Sequence, residues 1–175
     1  MSIRVGLTEV ADYSPFANAR GTPRGHAPRV ASYFLAPNDQ EVYMAPIERN
    51  DPPGLSPPPG GRYAHVVSSG NLVWVAGQTA RDASGTVVGP NDPLVQARQV
   101  YANLLTAIEA VGGTFSNYVK LTIFLTSEED LDAARTAQNE CWGDHALPAS
   151  SMVVVKALAR PEYLIEIEGF AVLDS

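Results

Sequence analysis

The 175-residue sequence predicts an α+β fold, a mixed β-sheet with two helices covering one of its faces. Three observations lead there. Two separate stretches repeat apolar residues at helical spacing, several short runs alternate apolar with polar, and their order, β-β-α-β-α-β-β, lacks the strict alternation of a doubly wound parallel sheet.

The first two strands lie in "RYAHVVSSGNLVWVAGQ", around "SSGN", whose Gly70 and Asn71 suit the positive φ of a tight turn. The first helix opens with Asp92 as cap and Pro93 at the first helical position. Its inward stripe is Leu94, Ala97, Tyr101, Leu104, Leu105, Ile108 and Val111, and Gly112 and Gly113 end it. "YVKLTIFLT" alternates, placing Val119, Leu121, Ile123 and Leu125 on one face and Lys120, Thr122 and Phe124 on the other. Thr126 and Glu129 form a capping-box pattern for a second helix, "SEEDLDAARTAQNECW", with Leu131, Ala134, Ala137 and Cys141 inward. Residues 147–173, "LPASSMVVVKALARPEYLIEIEGFAVL", read as two further strands joined by a Pro-containing turn.

Ten of the 14 prolines fall in residues 1–60, a composition that resists helix. This predicts an N-terminal extension over 1–60, ending in a linker "DPPGLSPPPGG", and a folded domain over 61–175. Within the extension, "RVASYFLAPNDQEVYMAPI" reads either as a β-hairpin or as a loose arm that packs only in an oligomer.

A net charge of −7 and a pI near 4.8 argue against a nucleic-acid partner, whose binding needs clustered Lys and Arg. No apolar run reaches the ~18–20 residues of a membrane span, and "MSIRVGLTEVADYSPF" lacks a signal peptide's apolar centre, so a soluble, cytoplasmic chain without membrane contact is expected. Cys141 reads as a small buried hydrophobe. His26, His65 and His145 are too scattered for metal-ligand spacing, and neither metal nor cofactor is implied.

Alternation assigns Lys120, Thr122, Phe124, Ser150, Met152, Val154, Glu166, Glu168 and Phe170 to the sheet face away from the helices. Such a surface is too apolar for open solvent and too polar for a monomer core, and is best buried between subunits.

Four fragments, "GRYAHVVSSGNLVWVAGQ", "NLLTAIEAVGGTFSNYVKLTIFL", "LPASSMVVV" and "IEIEGFAV", resemble in order and spacing the reactive intermediate deaminase family, also called Rid or YjgF, over about residues 60–173. The resemblance implies a chorismate-mutase-like fold, a homotrimer and a small-molecule site in each intersubunit cleft. Its best-studied members hydrolyse imines or enamines of amino acids to keto acids and ammonia. The resemblance further implies a catalytic role for Glu166, which would position the attacking water, and a pocket-lining role for Tyr63. It also places Ser150 where the family carries the arginine that anchors the substrate carboxylate, and Met152 where it carries a cysteine. A serine offers one neutral donor in place of a two-pronged cation, so ordinary amino-acid imines should bind weakly. Ser150, Ser151 and Met152 remain candidate substrate-binding residues. Arg135, Asn139 and Trp142, at i, i+4 and i+7 on the second helix, are candidates for a relocated cation and its neighbours, against the reading of Arg135 as a solvated helix arginine. Arg81 reads as a surface loop residue and His65 as a satisfied histidine. Glu166 is either a general acid or base in a desolvated cleft or the ion-pair partner of Lys120 or an arginine. Two functions follow, an enzyme acting on an imine, enamine or related carbonyl-derived substrate with altered specificity, or a non-catalytic trimer that binds a metabolite or a protein.

Overall fold

The computed structural model describes residues 45–174, which lie within one compact unit, Tyr43–Ser175. Six strands form one sheet in the order β1-β2-β3-β6-β4-β5: β1 (Ile47–Asn50), β2 (Val66–Ser69), β3 (Leu72–Thr79), β4 (Tyr118–Leu125), β5 (Ala149–Val154) and β6 (Ile165–Val172). All neighbours are antiparallel except β4 and β5. Helices α1 (Pro93–Glu109) and α2 (Leu131–Trp142) pack on each other and cover one face. This is the α+β sheet with two helices that the sequence predicts, with one strand more.

The extra strand, β1, is "IERN", which carries no apolar alternation to announce it. Its backbone pairs with β2, and the Ser69 hydroxyl donates to the Ala45 carbonyl at 2.9 Å. The segment expected to be a linker is packed as well. Leu55 sits in the core and Pro52 is buried, while a Cβ at Gly54 would come within 2.8 Å of Thr106 on α1. The folded unit therefore begins upstream of residue 61, because prolines here shape a strap laid against α1 rather than a spacer. The hairpin expected over residues 29–47 lies, apart from its last three residues, outside the described residues.

Helix α1 begins as predicted, with the Asp92 carboxylate accepting from the Leu94 and Val95 amides at 3.1 and 3.0 Å. The start of α2 differs. Ser127, not Thr126, accepts from the Glu129 amide, at 3.2 Å, and a 3-10 turn over Glu128–Asp130 leads into the helix. In β4, Tyr118 pairs with Ala171 and Lys120 with Phe170, so Val119 is the extra residue of a bulge. Tyr118 consequently takes the inward place that simple alternation gives to Val119, and Val119 is exposed. Among the described residues no helix is long and apolar enough to cross a membrane.

Trp142 is the clearest correction on the helices. Expected to line a binding pocket, it is fully buried, packed against Phe115 with ring centroids 4.5 Å apart and edge-on to Tyr101. Its indole Nε1 donates to the Ala146 carbonyl at 3.1 Å, which closes the turn after α2. The residue ends an apolar cluster instead of opening a cleft. Trp142→Ala should lower the unfolding free energy by about 3–5 kcal/mol in urea titration. A variant of native stability would return Trp142 to the list of binding residues.

Candidate functional site

Glu166 is set by a defect in the sheet. Val75 of β3 pairs with Gly169 of β6, yet Gln78 pairs with Ile167, so three steps on β3 match two on β6 and a bulge falls at Ala76–Gly77. The bulge brings Gly77 beneath the Glu166 side chain, where a Cβ would overlap the carboxylate oxygen Oε1. The missing side chain at Gly77 is the room that Glu166 occupies.

That carboxyl is half-buried on the face away from the helices, in register with Thr79 and Phe124. Burial, and secondarily the charge of Glu168, push its pKa above the usual carboxylate range. The ion-pair alternative is not found within the protomer. Lys120 donates instead to the Leu121 carbonyl at 2.7 Å and the Ser151 hydroxyl at 2.9 Å, and among the described residues no cation lies within ion-pair distance of Glu166.

Glu166 forms one wall of a hollow of about 750 Å³ shared with Tyr63, Tyr163, Gly77 and three arginines, Arg62, Arg81 and Arg160. Tyr63 is held above its ordinary pKa by burial, partly offset by Arg81, and it also senses Glu166. Its ring meets His65 edge-on, with centroids 5.4 Å apart. His65 is satisfied, as expected. Its Nε2 faces the Ser56 carbonyl at 2.8 Å and must carry the proton, which leaves Nδ1 to accept from Gln78 at 3.3 Å. A smaller hollow of about 350 Å³ lies on the same sheet face between Trp74, Phe170, Lys120 and Glu168.

Two buried amides on α1 fix the rims of the larger hollow. Gln96 accepts from the Leu164 amide at 2.9 Å and donates to the Glu162 carbonyl at 2.8 Å, tying down the segment that carries Arg160 and Tyr163. Asn103 donates to the Thr79 and Arg81 carbonyls at 2.9 and 2.8 Å, holding the end of β3. The signal for both was available: polar residues seven apart within an apolar helix face.

Four predicted site residues are placed elsewhere. In the parallel register Ser150 pairs with Leu121 and Met152 with Ile123, so both belong to the helix side of the sheet, as does Val154, and Met152 packs against the core. Along β5 the structure therefore runs one residue out of step with the alternation the sequence predicts. Ser151, paired with Thr122, is the serine on the Glu166 face. Arg135 lies exposed on α2, 3.6 Å from Asp132, and Asn139 is also exposed; neither lines either hollow. Of the expected site, the protomer brings together Glu166 and Tyr63. The hollow also gathers three arginines that the sequence gave no reason to bring together: Arg62, Arg160 and Arg81, which in "GQTAR" reads as a surface loop residue. Burial pushes the Cys141 thiol above its usual pKa, in keeping with a packing role. Among the described residues no three His, Cys, Asp or Glu side chains could hold a metal ion.

A family model described as Endoribonuclease L-PSP matches residues 54–173. A RutC family protein of Synechocystis sp. is 33% identical over 121 residues, covering 69% of this chain and 92% of that one. A protein of Dermatophagoides farinae named 2-iminobutanoate/2-iminopropanoate deaminase is 31% identical over 122 residues, with coverage of 69% and 92%. Among solved structures, a Rid-family protein of Yersinia pestis superposes with a TM-score of 0.69 at 26% identity, covering 73% of this chain and all of the other.

The fit between Gly77 and Glu166 can be tested by a double-mutant cycle. Gly77→Ala should cost about 1–3 kcal/mol in the wild type and clearly less in a Glu166→Ala background. Equal costs in the two backgrounds would show that the carboxylate is not what Gly77 accommodates.

Proposed function

The chain belongs to the Endoribonuclease L-PSP family, the Rid/YjgF family of the sequence resemblance, and on that premise we propose that it hydrolyses an imine, enamine or related carbonyl-derived small molecule. The observation that carries this reading is Glu166: a half-buried carboxyl, seated over Gly77 and unpaired by any cation among the described residues, in a hollow sized for a small molecule. An acid left partly desolvated without a partner costs stability, and groups so perturbed cluster at functional sites. Its raised pKa brings proton gain and loss closer to neutral pH, where general acid and base work is most effective.

The chemistry this supports is addition of water to the imine carbon, with Glu166 taking a proton from the water as the C–O bond forms. As water adds, the nitrogen takes up a proton to become the amine of a tetrahedral adduct; Glu166 then passes its proton to that amine, which leaves as ammonia with the C–N electron pair, while the hydroxyl releases its proton to solvent and the carbon becomes a carbonyl. Tyr63, at the same wall, supplies a hydroxyl to the substrate.

We place this site in a homotrimer. Support comes from the face that carries Glu166, where Leu72 and Trp74 are exposed and Trp74 lies 5.3 Å from Phe170, an apolar surface a lone subunit would leave in water. In such an assembly the β5 edge of one subunit, with Ser150 and Met152, would line the cleft of the next.

A second reading has one observation in its favour. The sequence resemblance puts Ser150 where the family carries its anchoring cation, and a trimer that only binds a metabolite or a protein needs no proton transfer.

Glu166→Gln keeps size and hydrogen-bonding capacity but removes the base. Ammonia release from amino-acid-derived imines should fall by roughly 10²–10⁴-fold, with the particle size from light scattering unchanged. Undiminished turnover in a folded trimer would remove Glu166 from the chemistry, and no turnover by wild type across imines, enamines and carbonyl compounds would leave the binding module.

A further inference from the structure

The hollow around Glu166 is basic in an acidic protein. Arg62, Arg81 and Arg160 line it, and among the described residues Glu166 is the one acidic side chain on its walls, although the whole chain carries a net charge of −7. Elsewhere Arg98 pairs with Glu140 at 2.7 Å and Arg135 stands 3.6 Å from Asp132, while Arg49, on β1, has no such partner among the described residues. Among the described residues, none of the three in the hollow has a carboxylate within ion-pair distance.

Arg81 is the best placed of them. Its backbone is fixed from two sides, by Asn103, which donates to its carbonyl, and by a bridge to Val87 across the turn that follows. Its guanidinium Nε donates to the Gly85 carbonyl at 3.3 Å, which orients the group and leaves both Nη atoms for a ligand. Gly85 takes φ +88°, a conformation that favours glycine, and a Cβ there would push the guanidinium aside from 2.7 Å. The acid next in sequence, Asp82, does not compete: its Oδ1 already accepts from the Ser84 amide and hydroxyl and from the Thr86 amide. Tyr63 lines the same hollow, within electrostatic reach of both Arg81 and Glu166.

We infer that Arg81 is the anion anchor of this site, and that the substrate carries a carboxylate remote from the carbon that reacts at Glu166. The inference rests on the placement of the chemistry at Glu166 and deepens it. A two-pronged guanidinium on the segment after β3 takes over from the cation that Ser150 cannot supply. Arg81 and Glu166 line one hollow but lie beyond ion-pair distance of each other, so a compact 2-imino monocarboxylate, whose charge sits beside its reacting carbon, is the poorer bridge between them. A longer acid, with a second carboxylate at the far end of its chain, reaches both, and about 750 Å³ accommodates it.

The test uses two keto acids as product probes, pyruvate with its single carboxylate and 2-oxoglutarate with a second one remote from the keto carbon. Calorimetric titration of the full chain at low salt should show 2-oxoglutarate binding about tenfold tighter than pyruvate, the low end for a charge-assisted pair at a partly exposed site. Arg81→Gln should abolish that preference, and Arg81→Lys, which keeps the charge but loses the fork, should retain part of it. Thermal melts establish that each variant is folded, and the lysine variant still decides if the glutamine one is not. Equal binding of the two acids by wild type, a preference that survives Arg81→Gln, or a preference lost in Arg135→Gln instead would each overturn the anchor. Inorganic phosphate displacing 2-oxoglutarate at lower concentration than pyruvate does would overturn the carboxylate assignment. Glu166→Gln separates this from the catalytic reading: preference retained with undiminished ammonia release would leave Arg81 as anchor while removing Glu166 from the chemistry.

Discussion

The close approach of the Glu166 carboxylate to the bare backbone of Gly77 is the constraint on which the rest of the site depends. A regular β3 would keep period-two alternation to the end of the strand and carry a side chain into the space the carboxylate needs. The extra residue at Ala76–Gly77 shifts the register with β6 and puts the one residue type without a Cβ under Glu166. It also turns Gln78 inward, where its amide donates to Ala76 O at 2.8 Å and reaches His65. One bulge thus shapes the floor of the hollow and fixes the histidine that Tyr63 packs against.

The helices take part in the site although they lie on the other face of the sheet. Gln96 and Asn103 are fully or nearly fully buried, and each spends its amide on backbone groups of segments that border the hollow. A buried amide with all its bonds made rigidifies what it touches, and one left unpaired would cost about 1–3 kcal/mol. These two residues convert a packed helix into a scaffold for Arg81 on one rim and for Tyr163 and Arg160 on the other. Preorganisation of that kind lowers the cost of ordering charged side chains when a ligand arrives.

Much of this was legible in the sequence, and the failures share physical causes. Asp92 with Pro93, the glycines after α1 and the alternation of β6 are local signals, and the structure follows them. So does the placement of Glu166 on the face away from the helices. Bulges defeat alternation because they are settled by the partner strand: Val119 gave way to Tyr118 at one, and at the other the neighbour of Glu166 could not be named. Ser150 and Met152 were misassigned because β5 runs parallel at the edge, with no second neighbour and little apolar contrast to fix its parity. Strand β1 and the packed strap around Leu55 depend on long-range pairing that a polar or proline-rich stretch does not advertise. The hollow's arginines come from three loops distant in sequence, so only the fold brings them together.

The most direct test of this account is the titration of Glu166 itself, followed through its side-chain carboxyl carbon by NMR in protein labelled with carbon-13. A carboxyl whose pKa is raised by folding contributes stability that is full below its unfolded value and is lost as pH rises through the folded value, so the folded chain should hold this proton beyond the ordinary range. The account predicts a pKa clearly above the usual glutamate value of about 4.3, falling toward it when Gly77→Ala displaces the carboxylate into solvent. A value at or below about 4.3 in the wild type would contradict it, because it would mean that Glu166 is solvated or ion-paired rather than seated, partly dry, over Gly77.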